Sequence, residues 1–338
     1  SAVAPALHLS TTFERATDGS YPSGYSYARA GNPSRASLES CLAALEGGKE
    51  ALTFASGSAA SLAVFSLLEA GDHVIAPRQC YHGTAKQLRE ITARWGVVCS
   101  FVDMTDVQAV EAAFTPRTRL LWIETPSNPT LLVSDISALC QLAQRTAALV
   151  CCDNTFATPV LQRPFELGAD LVMHSSTKFF GGHSDAMGGV VITREAGELA
   201  ARLRDYQVTA GSVPSPFDCW LIRRSLTTLP LRVRAQAQGA LAIAQFLRGH
   251  PQVAEVFYPG LEGHPGHALA QRQMPGGFGA VLSFCVRGGR AEAYALSARL
   301  TLFTRATSLG GVESLIEHRA SIEGPHTLTP ESLLRVSV

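Results

Sequence analysis

The stretch Leu171-Val172-Met173-His174-Ser175-Ser176-Thr177-Lys178-Phe179-Phe180-Gly181-Gly182 decides the fold. Its first four residues are a short, near-continuous apolar run, the pattern of a strand buried on both faces. The run opens into a Ser/Thr-rich turn that ends on Lys178, one of three lysines in a chain with 25 arginines. Arginine carries charge equally well but keeps its proton, whereas lysine becomes a nucleophile when desolvation or a neighbouring cation lowers its pKa. A strand that ends on such an amine points to an open, mainly parallel sheet with its chemistry beyond the carboxyl ends of the strands.

Working outward, the same strand pattern recurs at 73–76, 97–102, 120–124, 149–153 and 189–193, with helical patterns at 59–69, 83–94, 135–146 and 195–207 between the strands. This alternation predicts an α/β fold with a sheet covered on both faces. A helical stretch follows at 216–247, broken or bent near Pro230. Strands at 253–258 and 280–285 and a helix at 290–300 make an α+β pattern after it. The expected organisation is an extended arm over 1–35, a large domain over 36–222 and a smaller C-terminal domain over 223–338.

The formal net charge is zero, with 46% hydrophobic and 17% charged residues. That balance suits a large core or an oligomer and gives no nucleic-acid footprint and no attraction to an anionic membrane. No apolar run is long enough to span a bilayer, and Ser1-Ala2-Val3-Ala4-Pro5 lacks the basic start and apolar stretch of a secretory signal. None of the eight cysteines forms a Cys-x-x-Cys pair, so buried thiols in a reducing, cytoplasmic compartment are expected. His264-Pro265-Gly266-His267 has no Cys or carboxylate partner nearby in sequence, and no metal site is expected.

Three strand ends carry polar groups: Glu124, Asp153 and His174. A Schiff-base lysine makes pyridoxal phosphate the candidate cofactor, and that cofactor needs a carboxylate to keep its ring nitrogen protonated. Asp153 fits this need. Tyr81, a few residues beyond the strand at 73–76, is placed to stack on the ring and donate a proton. Ala55-Ser56-Gly57-Ser58-Ala59-Ala60 reads as a helix start whose small residues expose backbone donors to a phosphate, and the hydroxyls of Ser175 and Thr177 point to the same group. Each residue alone has a plainer reading: Asp153 as a cap, Glu124 as a solvated loop residue, Tyr81 as a loop aromatic.

Together the motifs resemble the pyridoxal-phosphate enzymes of cysteine and methionine metabolism, the cystathionine γ-synthase, γ-lyase and β-lyase group. The resemblance spans nearly all 338 residues. It rests on Tyr25-Ser26-Tyr27-Ala28-Arg29-Ala30-Gly31-Asn32-Pro33, Ser56-Gly57-Ser58-Ala59-Ala60, Glu124-Thr125-Pro126-Ser127-Asn128-Pro129, Asp153-Asn154-Thr155-Phe156-Ala157-Thr158-Pro159, the Lys178 run, Ser215-Pro216-Phe217-Asp218 and Ser308-Leu309-Gly310-Gly311-Val312-Glu313-Ser314-Leu315. It implies an aspartate-aminotransferase-like fold (fold type I), with Lys178 as Schiff-base lysine and proton shuttle, Asp153 on the ring nitrogen and Tyr81 on the ring. It further implies Gly57, Ser58, Ser175 and Thr177 on the phosphate, and Tyr27 and Arg29 reaching the phosphate of a neighbouring subunit. The active unit would then be a homodimer, the usual assembly a homotetramer of two such dimers. Asn128, Ser308 and Arg335 match the positions that hold the substrate α-carboxylate, a task suited to the bidentate guanidinium.

The chain departs from the pattern at a few positions. Thr307 stands where the cystathionine γ-type enzymes have a Glu, His82-Gly83 follows Tyr81 with no cysteine, and His318-Arg319-Ala320-Ser321-Ile322-Glu323-Gly324 replaces a His-Pro-Ala-x-Met-Thr-His run. Arg319 and Glu323 read more readily as a surface ion pair than as a wall of the pocket. The expected activity is carbon–sulfur lyase or γ-replacement chemistry on sulfur amino acids of the cystathionine γ-lyase/γ-synthase type. The alternatives are β-lyase or methionine γ-lyase elimination, an aminotransferase, or a non-catalytic binding protein on the same scaffold.

Overall fold

The computed structural model describes residues 3–324 and 327–338; residues 1 and 2, where the expected arm begins, and 325 and 326 lie outside the described residues. Seven strands form the first sheet: β1 (Glu50–Phe54), β2 (His73–Pro77), β3 (Val98–Val102), β4 (Thr118–Glu124), β5 (Leu149–Asp153), β6 (Leu171–His174) and β7 (Gly189–Thr193). Their order is β1-β7-β6-β5-β4-β2-β3. β2 to β6 run parallel, and β7 pairs antiparallel with both β6 and β1.

The sheet is apolar on both faces because helices cover both. Leu120 and Trp122 of β4 join Leu52, Phe54 and Leu203 in one core, while Leu121 and Ile123 join Ile75, Ile136 and Leu139 in another. This alternation is the pleat expressed in side chains, and it makes the strands read as continuous apolar runs. The short polar strand ends are therefore the places where function can enter.

Five strands form a second sheet: β8 (Val253–Phe257), β9 (Val281–Val286), β10 (Thr304–Arg305), β11 (Leu315–His318) and β12 (Leu333–Ser337), in the order β10-β11-β12-β9-β8. Tyr258, Leu282, Phe284, Ile316 and Leu334 form its core. The helix Leu229–Arg248 packs along it, with Pro230 in the first turn. There proline has no amide to lose. Of the expected break or bend, the structure has the break, between this helix and Pro216–Ser225, bridged by a single tight turn.

Two expectations needed correction. β1, with the sequence Glu-Ala-Leu-Thr-Phe, escaped the strand pattern because Glu, Ala and Leu are helix formers; pairing with β7 overrides that preference. The helix expected at 83–94 is three pieces, an α turn His82–Lys86, a wide π turn Gln87–Ile91 and a 3-10 turn Thr92–Trp95, closed by Gly96 at φ 84°. Among the described residues no helix is long and apolar enough to cross a membrane.

Candidate active site

β4 and β5 pair in register, so Glu124 stands opposite Asp153 at the carboxyl end of the sheet. Asp153 closes a tight turn onto Thr155, accepting from its amide at 3.0 Å and its hydroxyl at 2.5 Å. The same Thr155 hydroxyl accepts from the Ser175 amide at 2.9 Å, which ties the end of β5 to the turn that follows β6. Burial pushes the Asp153 carboxyl up and the two Thr155 bonds pull it back. Burial likewise pushes Glu124 up, to about 8, and the neighbouring Asp153 adds to the rise.

Glu124 is buried, not the solvated loop residue of the plainer reading. Its carboxylate accepts from the Tyr81 amide at 2.8 and 3.1 Å and from the Asn128 amide at 3.1 Å. One strand-end carboxylate therefore fixes the backbone that presents Tyr81 and the backbone that presents Asn128. Tyr81 immediately precedes the His82–Lys86 turn and keeps its ring half exposed toward the cavity.

The turn after β6 carries Lys178 to the floor of the cavity, where Nζ donates to Ser308 Oγ at 2.9 Å. Burial, with Arg335 next and Arg319 behind it, pushes the amine down to about 8 against an opposing Glu317. Ser308 has φ 92°, a region that costs a non-glycine residue of order 1–3 kcal/mol and persists where surroundings impose it. After it, Gly310 lies so close to Phe179 that a Cβ would stand 2.7 Å from the Phe179 amide nitrogen.

Arg335 enters from β12 and is 3% exposed. Its guanidinium donates to Asn128 Oδ1 at 3.1 Å, to the Ser308 carbonyl at 2.9 Å and to Glu317 Oε2 at 2.8 Å. Glu317 faces Arg335 across the β11–β12 register. Arg319 donates to the same Glu317 oxygen at 2.8 Å and to Glu323 at 3.1 Å. The Arg319–Glu323 pair was expected at the surface; both side chains are under one tenth exposed and Arg319 lines the cavity, so that expectation is corrected.

Eleven of the expected site residues thus converge on one cavity of about 240 Å³: Gly57, Ser58, Tyr81, Asn128, Asp153, Ser175, Thr177, Lys178, Thr307, Ser308 and Arg335. Tyr27 and Arg29 do not reach it. Tyr27 is 46% exposed, and Arg29 donates to the Val208 carbonyl at 3.0 Å. His174 also turns away, its Nε2 lying 3.1 Å from buried Glu46. The Thr177 hydroxyl is already engaged with both the carbonyl and the amide of Gly188, at 3.1 and 3.0 Å. The reading of the sequence missed Thr155, Glu317 and the buried role of Arg319. An Asp-x-Thr turn at a strand end is a usable local signal for Thr155; Glu317 is marked only by a cross-strand register.

The donor set fits pyridoxal phosphate. A Cβ on Gly57 would stand 2.7 Å from Ser175 Cβ, so glycine is what lets the helix Gly57–Phe65 bring its open amides against the lysine turn. The strand-end carboxylate of Asp153 and the amine of lowered pKa then lie in the same cavity. Fold and site together define the class, the fold type I pyridoxal-phosphate enzymes. Within it, the chain belongs to the family of Cys/Met metabolism PLP-dependent enzymes, whose sequence profile matches residues 1–335. It is 47% identical over 338 residues to the cystathionine gamma-synthase of Mycobacterium tuberculosis, covering 98% of this chain and 87% of that one. The metB crystal structure from Corynebacterium glutamicum superposes with a TM-score of 0.97 at 40% identity, covering 100% of this chain and 89% of that one. Cystathionine gamma-lyase from Lactobacillus plantarum, complexed with L-serine, gives 0.94 at 39% identity over 98% and 88%.

Proposed function

We propose that this enzyme carries out γ-elimination or γ-replacement on sulfur amino acids, in the manner of cystathionine γ-lyase and γ-synthase. The observation that carries the reading is Lys178, an amine held at about 8 and bonded to Ser308, in one cavity with a buried carboxylate-binding arginine. With its pKa at about 8, roughly a tenth of such an amine is free base at pH 7, far more than of an ordinary lysine, so a base is at hand near neutral pH. The names of the relatives, a gamma-synthase and a gamma-lyase, favour γ chemistry.

Pyridoxal phosphate, when bound, supplies a protonated ring that spreads the negative charge left at Cα. Asp153 would hold the ring nitrogen, Tyr81 would cover the ring, and the amides of Gly57 and Ser58 with the Ser175 hydroxyl would hold the phosphate. Thr177 would act there less directly, through its hold on Gly188. Arg335, Asn128 and Ser308 would hold the substrate α-carboxylate. Lys178 removes the Cα proton and moves a Cβ proton before the γ-substituent departs. Tyr81 protonates the leaving group. Thr307 puts a neutral hydroxyl on the distal wall. Tyr27 and Arg29, outside their own cavity, would complete the phosphate site of a second subunit, in a homodimer that pairs into a tetramer. Eight free cysteines suit a reducing compartment such as the cytoplasm.

The test is an assay of the purified holoenzyme with cystathionine, and with O-acyl-homoserine plus cysteine. 2-Oxobutyrate from the first, or cystathionine from the second, is the expected product. Pyruvate as the main keto acid from cystathionine would overturn the γ assignment.

A further inference from the structure

The segment where the chain departs most from its family pattern builds a chain of alternating charges against the carboxylate site. Glu323 accepts hydroxyls from Thr327 at 2.7 Å and Thr329 at 2.5 Å, and accepts from Arg319 Nε at 3.1 Å. Arg319 Nη1 donates to Glu317 Oε2 at 2.8 Å, and Arg335 Nη2 donates to that same oxygen at 2.8 Å. The Arg319 side chain is 3% exposed and its Nη2 has no hydrogen-bond partner among the described residues.

Consider Glu317 without Arg319. A buried carboxylate held by one arginine neutralises it and competes with any incoming carboxylate for the same donors. With Arg319 on the same oxygen, Glu317 is shared between two guanidiniums, while Glu323 balances the charge that Arg319 brings. We propose that Arg319 is a positioning residue for substrate carboxylate recognition: by sharing Glu317 it loosens that carboxylate's claim on Arg335 and fixes the orientation of both in the cavity. Glu323 and its two threonines hold Arg319 in that place. This rests on the reading of Arg335 as the α-carboxylate-binding residue.

The test separates the two ideas. The holoenzyme is titrated with L-norleucine and with n-pentylamine, which share a side chain but differ by the carboxylate, and dissociation constants are read from the visible cofactor band. Neither ligand has a γ leaving group, so the readout does not depend on the reaction assigned above. Arg319→Met is expected to cut the preference for norleucine over pentylamine by about tenfold, the worth of a charge-assisted hydrogen bond, with Arg319→Lys restoring part of it. The double variant Arg319→Met/Glu323→Gln removes one charge of each sign and keeps the measurement possible if the single variant folds poorly; the same loss is expected. An unchanged preference in both would overturn the proposal, as would a loss confined to 2-aminoadipate, which would mean that Arg319 meets a side-chain carboxylate directly. Arg335→Met is measured alongside. If it abolishes the preference while the Arg319 variants keep it, only the positioning role falls; if it too leaves the preference intact, the carboxylate assignment falls and takes the inference with it.

Discussion

The two walls of the cavity are built differently. The wall on the first sheet is tied within that sheet and its turns: Asp153 to Thr155 two residues on, Thr155 to Ser175 across 20 and Tyr81 to Glu124 across 43. The wall on the second sheet is made from contacts distant in sequence: Arg335 to Asn128 across 207 residues and Lys178 to Ser308 across 130. Local bonds on a sheet fixed by its own register give a rigid site for a cofactor. Long-range bonds between two sheets give a site whose charge balance changes with a few substitutions, as Arg319 and Glu323 illustrate. The cofactor-facing half is thus held within one sheet, and the Arg335 half depends on both.

The largest expected effect strikes where the two walls meet. Lys178→Ala should abolish the visible Schiff-base band and lower turnover by roughly 10²–10⁴-fold, the usual worth of a positioned proton-transfer group. A surviving band would break the assignment of the first wall. Arg335→Met should raise KM by about 2–5 kcal/mol in free-energy terms, because it leaves the substrate carboxylate without its buried cationic partner, while the cofactor band stays unchanged. A lost band would mean that the walls are not separable. Glu124→Gln should lower kcat several-fold, since one of the two oxygens that hold the Tyr81 amide becomes an amide donor, a loss of about 1 kcal/mol.

The smallest effect concerns stability and pH in the cofactor-free chain. Lys178 has its pKa lowered to about 8 from an ordinary 10.5, so between those values the unfolded chain binds more protons than the folded one. Stability contributed at this site therefore rises with pH across that window. Lys178→Met should be more stable than the parent below about pH 8, and its advantage should shrink toward pH 10.5, as read by denaturant midpoints. An advantage constant with pH would mean that the amine is not desolvated.

Legibility in the sequence follows the same division. Gly57, Asp153, Ser175 and Lys178 were readable because strand, turn and reactive group are contiguous, and the parallel sheet follows from its apolar runs. β1 was not, because its residues favour helix and only β7 makes them a strand. Asn128, Ser308 and Arg335 came from resemblance, since no local pattern joins residues that far apart. Glu317 and the burial of Arg319 were hidden for the same reason. A charged pair four residues apart looks like a solvated helix or loop pair until β11 and β12 enclose it.

The central claim is that Lys178 moves protons at both Cα and Cβ of a substrate anchored by Arg335. Incubation of the holoenzyme with L-norvaline in D₂O, followed by proton NMR, measures this directly, since norvaline has hydrogens at both carbons and no group to eliminate. Loss of both the Cα and Cβ proton signals is expected. Exchange at Cα alone would contradict a γ-type enzyme.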